Sequence, residues 1–113
     1  MVNIFKNNNY LVVKITIKEA NLDKAEEFKQ EVMKAIDEGN RYLIINFSDV
    51  EYIDSTFMAA LVSLLKYAIA KNGDIAVAEL KKDIYYLFHM IRMDKVFMIY
   101  DHLPDTFSGS FGR

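Results

Sequence analysis

The sequence contains no cysteine. Disulfide cross-links, thiolate nucleophiles and cysteine-ligated metals are therefore excluded. Histidine is nearly as scarce, with two in the chain, His89 and His102. Neither has a second histidine or a carboxylate at a spacing that metal sites use, so no metal is expected. Glycine occurs four times, in no Walker or dinucleotide pattern, which removes the phosphate-cradling loops of nucleotide enzymes. No Gly-x-Ser-x-Gly elbow surrounds any serine. No catalytic set and no cofactor is expected, and the chain does not read as an enzyme. Basic charge is not in excess: the net charge is -2, and Lys and Arg are spread without a cluster. Direct nucleic-acid binding through a charged groove is not expected. No apolar run reaches the ~18 residues that span a bilayer, and the opening "MVNIFKNNNY" is too polar for a secretory signal. No membrane insertion and a cytoplasmic location are the expectations.

What is present suits one packed domain. Of the 113 residues, 52% are hydrophobic and 27% charged, enough to bury a core. "NIFKNNNYLVVKITIK" reads as strand, turn, strand, with Asn7-Asn8-Asn9 as the turn. "NLDKAEEFKQEVMKAIDEGN" reads as an amphipathic helix whose inner stripe is Leu22, Ala25, Phe28, Val32, Ala35 and Ile36, with Asn21 as its N-cap and Gly39-Asn40 as its stop. "RYLIINF" is a continuous β-rich run, the mark of a central strand covered on both faces. After the polar loop "SDVEYIDS", a second helix runs from about Ser55 to Lys71 and stops at Asn72-Gly73. A short strand "DIAVAEL", a third helix with Ile84, Leu87, Phe88 and Ile91 inward, and a last strand "KVFMIY" follow. The fold class is α/β: a mixed, largely parallel sheet of about five strands with roughly three to four helices packed on it. Residues 1–104 form the domain. Pro104 and the Gly-Ser residues after it mark 105–113 as a frayed tail.

The junction Asp54-Ser55-Thr56 concentrates polar groups where a strand gives way to a helix. Two readings stand open. Serine and aspartate both favour helix N-caps, so Ser55 as an end cap is sufficient in itself. Alternatively, Ser55 is a modification site: a phosphate there would add ~ -1.5 to -2 charge beside Asp54, Asp49 and Glu51, changing what can dock without changing the fold. The helix behind it is ambiguous as well. Phe57, Leu61, Leu64, Leu65 and Ala68 make a core stripe, while Met58, Val62 and Ile69 make either a second buried side or an exposed apolar patch for a protein partner.

The chain resembles the STAS domain family of bacterial anti-sigma factor antagonists over nearly its whole length. The likeness is carried by "LIINFSDVEYIDSTFMAAL", an apolar strand, a polar turn, an aromatic-apolar-Asp-Ser step and a helix. The element order of "IAVAELKKDIYYLFHMIRMDKVFMIYD" supports it. The resemblance implies a regulatory protein that binds an anti-sigma factor, itself a serine protein kinase, and is switched by reversible phosphorylation, with a serine phosphatase as the opposing partner. It implies Ser55 as phosphoacceptor and a partner-binding rim of Asn21, Asp23, Asp54, Ser55, Thr56, Phe57 and Met58. Three departures stand out: the family's closing helix is shortened or missing in "DHLPDTFSGSFGR", and two lie at the rim. Phe57-Met58-Ala59 replaces a Gly-Leu-Gly-like segment, adding bulk at that rim, and Asn21 stands where the family usually carries Asp. They keep a second reading open, an unphosphorylated scaffold or accessory module of a signalling or transport complex.

Overall fold

The structure is a computed structural model and describes residues 1–108. Its main sheet has five strands in the order β1 (Val2–Asn7), β2 (Tyr10–Ile15), β4 (Tyr42–Asn46), β6 (Asp74–Ala78) and β7 (Met98–Tyr100). β1 pairs antiparallel with β2, and every other pairing in this sheet is parallel. The expected α/β architecture is therefore what forms. A parallel neighbour cannot be reached by a tight turn, so each parallel step is made by a crossover helix. These are α1 (Leu22–Asp37), α2 (Ser55–Ala70) and α3 (Lys82–Met90), with one 3-10 turn at Met93–Lys95. Two further strands, β3 (Glu19–Ala20) and β5 (Tyr52–Ile53), form a separate two-stranded ladder. The sequence pattern puts 52–53 in the polar loop and leaves 19–20 between a strand and a helix; a two-residue ladder is too short to show in it.

All three helices contribute to the core on one face of the sheet. Leu43, Ile45 and Phe47 from the central strand and its end meet Phe28, Val32, Phe57, Leu61 and Phe88 there. Ile44 points to the other face with Tyr10, Val12 and Ala76, so the central strand is covered twice, as its unbroken apolar run predicts. α1 buries Ala25, Phe28, Val32, Ala35 and Ile36. Leu22 does not join that stripe: as the first helical residue it lies beyond the core and stays exposed. α2 ends where expected. Lys71 closes it, Asn72 takes the left-handed conformation at φ 64°, and the Asn72 and Gly73 amides donate back to Ile69 and Ala68 in the manner of a Schellman motif. A Cβ on Gly73 would lie 2.1 Å from the Arg41 carbonyl oxygen, so only glycine lets α2 return onto the sheet at that point.

α1 and α2 are also tied at their far ends. The Asp37 carboxylate accepts from the Tyr67 hydroxyl and lies 3.2 Å from the Lys71 ammonium. The Tyr67 hydrogen bond first, and Lys71 second, hold the Asp37 carboxyl below the usual carboxylate range. A depressed carboxyl pKa stabilises the fold above the ordinary value, and that contribution is lost as pH falls through the depressed one.

The helix-free face is closed by the chain that follows β7. Phe107 is buried there, its ring stacked 5.2 Å from that of Tyr42. The Asn9 side-chain amide brackets Phe107, accepting from its N–H at 2.7 Å and donating to its carbonyl at 3.0 Å. Asn8 donates to the Asp105 carbonyl and Tyr10 to that of Pro104. The asparagine run thus makes the turn, with Asn8 at φ 55°, and also anchors the C-terminal segment. Packing therefore continues past residue 104 to Phe107, contrary to the reading of a loose tail from 105; residues 109–113 of that tail lie outside the described residues. Deleting a buried aromatic ring typically costs several kcal/mol, less where the site can collapse. Phe107→Ala is therefore expected to lower unfolding free energy by about 2–4 kcal/mol, measured by urea denaturation; an unchanged midpoint would return this segment to the status of a loose end.

Candidate functional site

The two-residue ladder fixes the geometry. Glu19 pairs with Tyr52 and Ala20 with Ile53, in parallel, and the Asp54 N–H continues the ladder by donating to the Ala20 carbonyl at 3.0 Å. Each strand passes straight into a helix, through Asn21 into α1 and through Asp54 into α2. Equal register therefore starts the two helices side by side.

A helix start leaves its first amides without intrahelical acceptors. Asn21 serves one of them, its Oδ1 accepting from the Asp23 N–H at 3.1 Å. Asp54 serves two, on different helices. Its Oδ1 accepts from Phe57 N–H at 2.9 Å, and its Oδ2 accepts from Leu22 N–H, the first amide of α1, at 2.8 Å. A carboxylate at the positive ends of two helix dipoles is also electrostatically favoured. The cap of α2 is thus Asp54, and not Ser55 as one reading of the junction had it. Both residue types cap well, and their adjacency hides which of them does so.

This assignment frees Ser55. It is the first residue of α2, it is exposed, and among the described residues its hydroxyl has no hydrogen-bond partner. Thr56 and Asp23 are exposed beside it on their helices, while Asn21 and Asp54 are half-buried by their capping. Of the acidic neighbours expected around the serine, Asp49 is turned to Lys14 at 3.7 Å.

Phe57 follows the core-stripe expectation for α2 and departs from the expectation that it adds bulk at the rim. Its side chain is fully buried, with the ring 4.6 Å from that of Phe28 between α1 and α2. The bulk that replaces a family glycine fills the core and adds nothing to the rim. Asn21 in place of Asp is equally benign, because an asparagine oxygen caps as well as a carboxylate. Met58 is buried at 7% exposure yet borders a groove of about 450 Å3 between α2 and α3. Met58, Ala59 and Val62 form one wall, Leu87 and Ile91 the other, and Ser55 stands at one end. Ile69, grouped with Met58 and Val62 from the sequence, is exposed but is not among the groove-lining residues. Ile91, read as core, is exposed because α3 ends at Met90 and Arg92 turns left-handed at φ 65°. Leu22, whose N–H meets Asp54, and Tyr52, two residues before Asp54, are exposed as well. The sequence reading missed both, although their positions next to the two caps could have flagged them.

Among the described residues no group of His, Asp and Glu side chains gathers closely enough to hold a metal ion. No helix there is long and apolar enough to cross a membrane.

The STAS domain model matches residues 3–106. The chain belongs to the STAS domain family. A relative from Thermotoga neapolitana, named as a candidate anti-sigma factor antagonist, is 26% identical over 104 residues, 91% of this chain and 92% of that one. Among solved structures, a candidate anti-sigma factor antagonist from Thermotoga maritima aligns with a TM-score of 0.79 at 23% identity, covering 90% of this chain and 87% of that one. The phosphorylated form of the Bacillus cell fate determinant SpoIIAA aligns with a TM-score of 0.66 at 15% identity, over 88% and 90% of the two chains. At these identities the solved structures establish a shared fold.

In this STAS domain the carboxylate of Asp54, and not the Ser55 hydroxyl, holds the two helix starts. Loss of a cap costs about 0.5–2 kcal/mol, and a bond to a charged acceptor about 1.5–3. Asp54→Ala is therefore expected to destabilise by about 2–4 kcal/mol, and Ser55→Ala by less than about 0.5 kcal/mol. Paired urea titrations measure both; a Ser55→Ala cost matching that of Asp54→Ala would return the capping role to the serine.

Proposed function

We propose that this STAS domain is an anti-sigma factor antagonist controlled by partner switching. Unmodified, it docks on an anti-sigma factor that is also a serine protein kinase. Transfer of a phosphoryl group to the Ser55 hydroxyl releases it, and a serine phosphatase restores the binding form. The chain is the substrate and binding module in this cycle, and its partners carry the chemistry.

One observation carries the reading: Asp54 closes both helix starts, so the exposed Ser55 hydroxyl is left without a structural task. A phosphate there adds ~ -1.5 to -2 charge immediately after the Asp54 carboxylate. It leaves the two caps in place and alters only the surface. An acidic partner would be repelled, and an apolar one would have to bury a hydrated dianion at the mouth of the groove. The docking face runs from Asn21 and Asp23 on α1 to Ser55, Thr56 and Met58 on α2. The exposed Leu22 and Tyr52 supply apolar contact. That a protein of the same fold has been solved in a phosphorylated form agrees with the proposal. The cytoplasm, where sigma factors act, is the proposed location.

A second reading has one observation in its favour. The groove walled by Met58, Val62, Leu87 and Ile91 could hold a partner with Ser55 unmodified, making the domain an accessory or scaffold module. Co-purification from the native host with intact-mass measurement of this chain separates the two. Partner switching expects an anti-sigma factor in the eluate and a fraction of the chain heavier by one phosphate, abolished by Ser55→Ala. Binding of the recovered partner should stay within about threefold for Ser55→Ala and weaken at least about tenfold for Ser55→Asp, since like-charge contacts cost several kcal/mol. Equal affinity of wild type and Ser55→Asp would contradict partner switching and leave the accessory reading.

A further inference from the structure

The edge strand β1 carries few of the features that keep an edge unpaired. It runs six residues, Val2–Asn7, with Ile4 and Phe5 exposed. It carries one charge, Lys6, and has no proline. Natural edges are usually short, bulged, proline-broken or heavily charged, because an open row of N–H and C=O groups recruits another strand.

The register with β2 assigns the faces. Val2, Ile4 and Lys6 pair with Ile15, Val13 and Leu11, which belong to the helix-side core. Asn3, Phe5 and Asn7 therefore face the other way. On the helix side a groove of about 470 Å3 separates β1 from α1, with Val2 and Ile4 on one wall and Glu31, Lys34 and Glu38, a net acidic set, on the other. The Oε2 atom of Glu31 is shielded there and has no hydrogen-bond partner. An unpaired buried carboxylate oxygen is costly and calls for a partner.

We infer that β1 is the interface of a two-fold homodimer, in which the β1 strands of two copies pair antiparallel with Ile4 opposite Ile4 and Lys6 of each copy reaches Glu31 of the other. A two-fold contact is self-complementary, and antiparallel pairing of one strand with itself has that symmetry. With Ile4 on the axis, Val2 stands opposite the second copy's Lys6 and Asn3 opposite its Phe5. Directly opposed side chains lie ~5 Å apart, and the Lys6 stem can then extend over Val2 into the groove that holds Glu31. Placing Phe5 on the axis instead would set the Lys6 ammonium opposite Ile4, which borders the same groove, and would remove the apolar pair from the groove side. The Ile4–Ile4 pair selects the first register. The inference goes beyond the proposed function and does not depend on it, because β1 forms the sheet edge opposite β7, whereas the Ser55 groove lies between α2 and α3.

One strand pair with few side chains is a small interface, so a weak dimer is expected, with Kd on the order of 10–500 μM. Sedimentation velocity of the full chain over concentrations up to about 2 mM tests it. Lys6→Glu and Glu31→Lys should each weaken dimerisation about fivefold or more, and the double variant Lys6→Glu/Glu31→Lys should restore it to within about threefold of wild type. Phe5→Lys, which adds an edge charge on the opposite face, should abolish it, and thermal unfolding confirms that each variant remains folded. A monomer throughout the range overturns the proposal. So does a dimer indifferent to Lys6→Glu and Phe5→Lys, or one that the charge swap fails to restore.

Discussion

The Asp54 carboxylate accepts one amide from each of two helices. Much else in the molecule follows from that shared acceptor. Parallel crossover helices on one face of a sheet start at the same end, and their starts carry like partial charges that repel when brought together. A single anion between them neutralises both. The β3–β5 ladder supplies the placement, since its register carries Ala20 and Ile53 side by side into the two caps. The Phe28–Phe57 ring contact lies within the first two turns of both helices and locks the same pair through its apolar side. At the far ends Asp37 ties α1 to Tyr67 and Lys71 of α2, so the pair is held at both ends.

A helix start held this firmly can carry a changeable surface group. Ser55 belongs to α2 but contributes nothing to the capping, so its chemistry and the fold's stability are separable. Exposed apolar residues accompany it: Ile91 on the same groove, and Leu22 and Tyr52 beside the two caps. Such an arrangement favours recognition by a partner, because little ordering entropy is lost on docking. The β1 edge is an end of the strand order, and its groove meets α1 at Glu31, more than two turns from Leu22 at the helix start. The proposed self-association and the proposed regulation at Ser55 therefore call on different surfaces.

Much of the fold was legible in the sequence because the signals were long. Sixteen residues of 3.6-periodicity announce α1, and the unbroken apolar run of β4 announces a strand covered on both faces. The position of Ser55 at a strand-to-helix junction was equally legible. Features set by a few residues were not. A two-residue ladder has no periodicity to detect, so β3 and β5 read as loop. Asp54 and Ser55 both cap well, and a one-residue ambiguity at a helix start is ordinary; the bond from Phe57 N–H decides for Asp54, and its second task, the Leu22 N–H, lies thirty-two residues away in sequence. Phe57 at the third helical position could face rim or core until the approach of Phe28 was known. The Asn7–Asn9 run declared a turn, but its amides' second use, holding Phe107, depends on a segment almost a hundred residues distant.

The central claim is that Ser55 can take a dianionic group while Asp54 keeps both helix starts closed. Amide hydrogen exchange at Leu22 and Phe57, compared by NMR between the unmodified chain and the chain phosphorylated at Ser55, tests it directly. Protection of both amides within about threefold of the unmodified chain is expected, since local opening is governed by the hydrogen bonds that hold each amide. A joint loss of protection at the two positions on phosphorylation would contradict the claim, because the phosphate would then have taken over or displaced the carboxylate that joins α1 to α2.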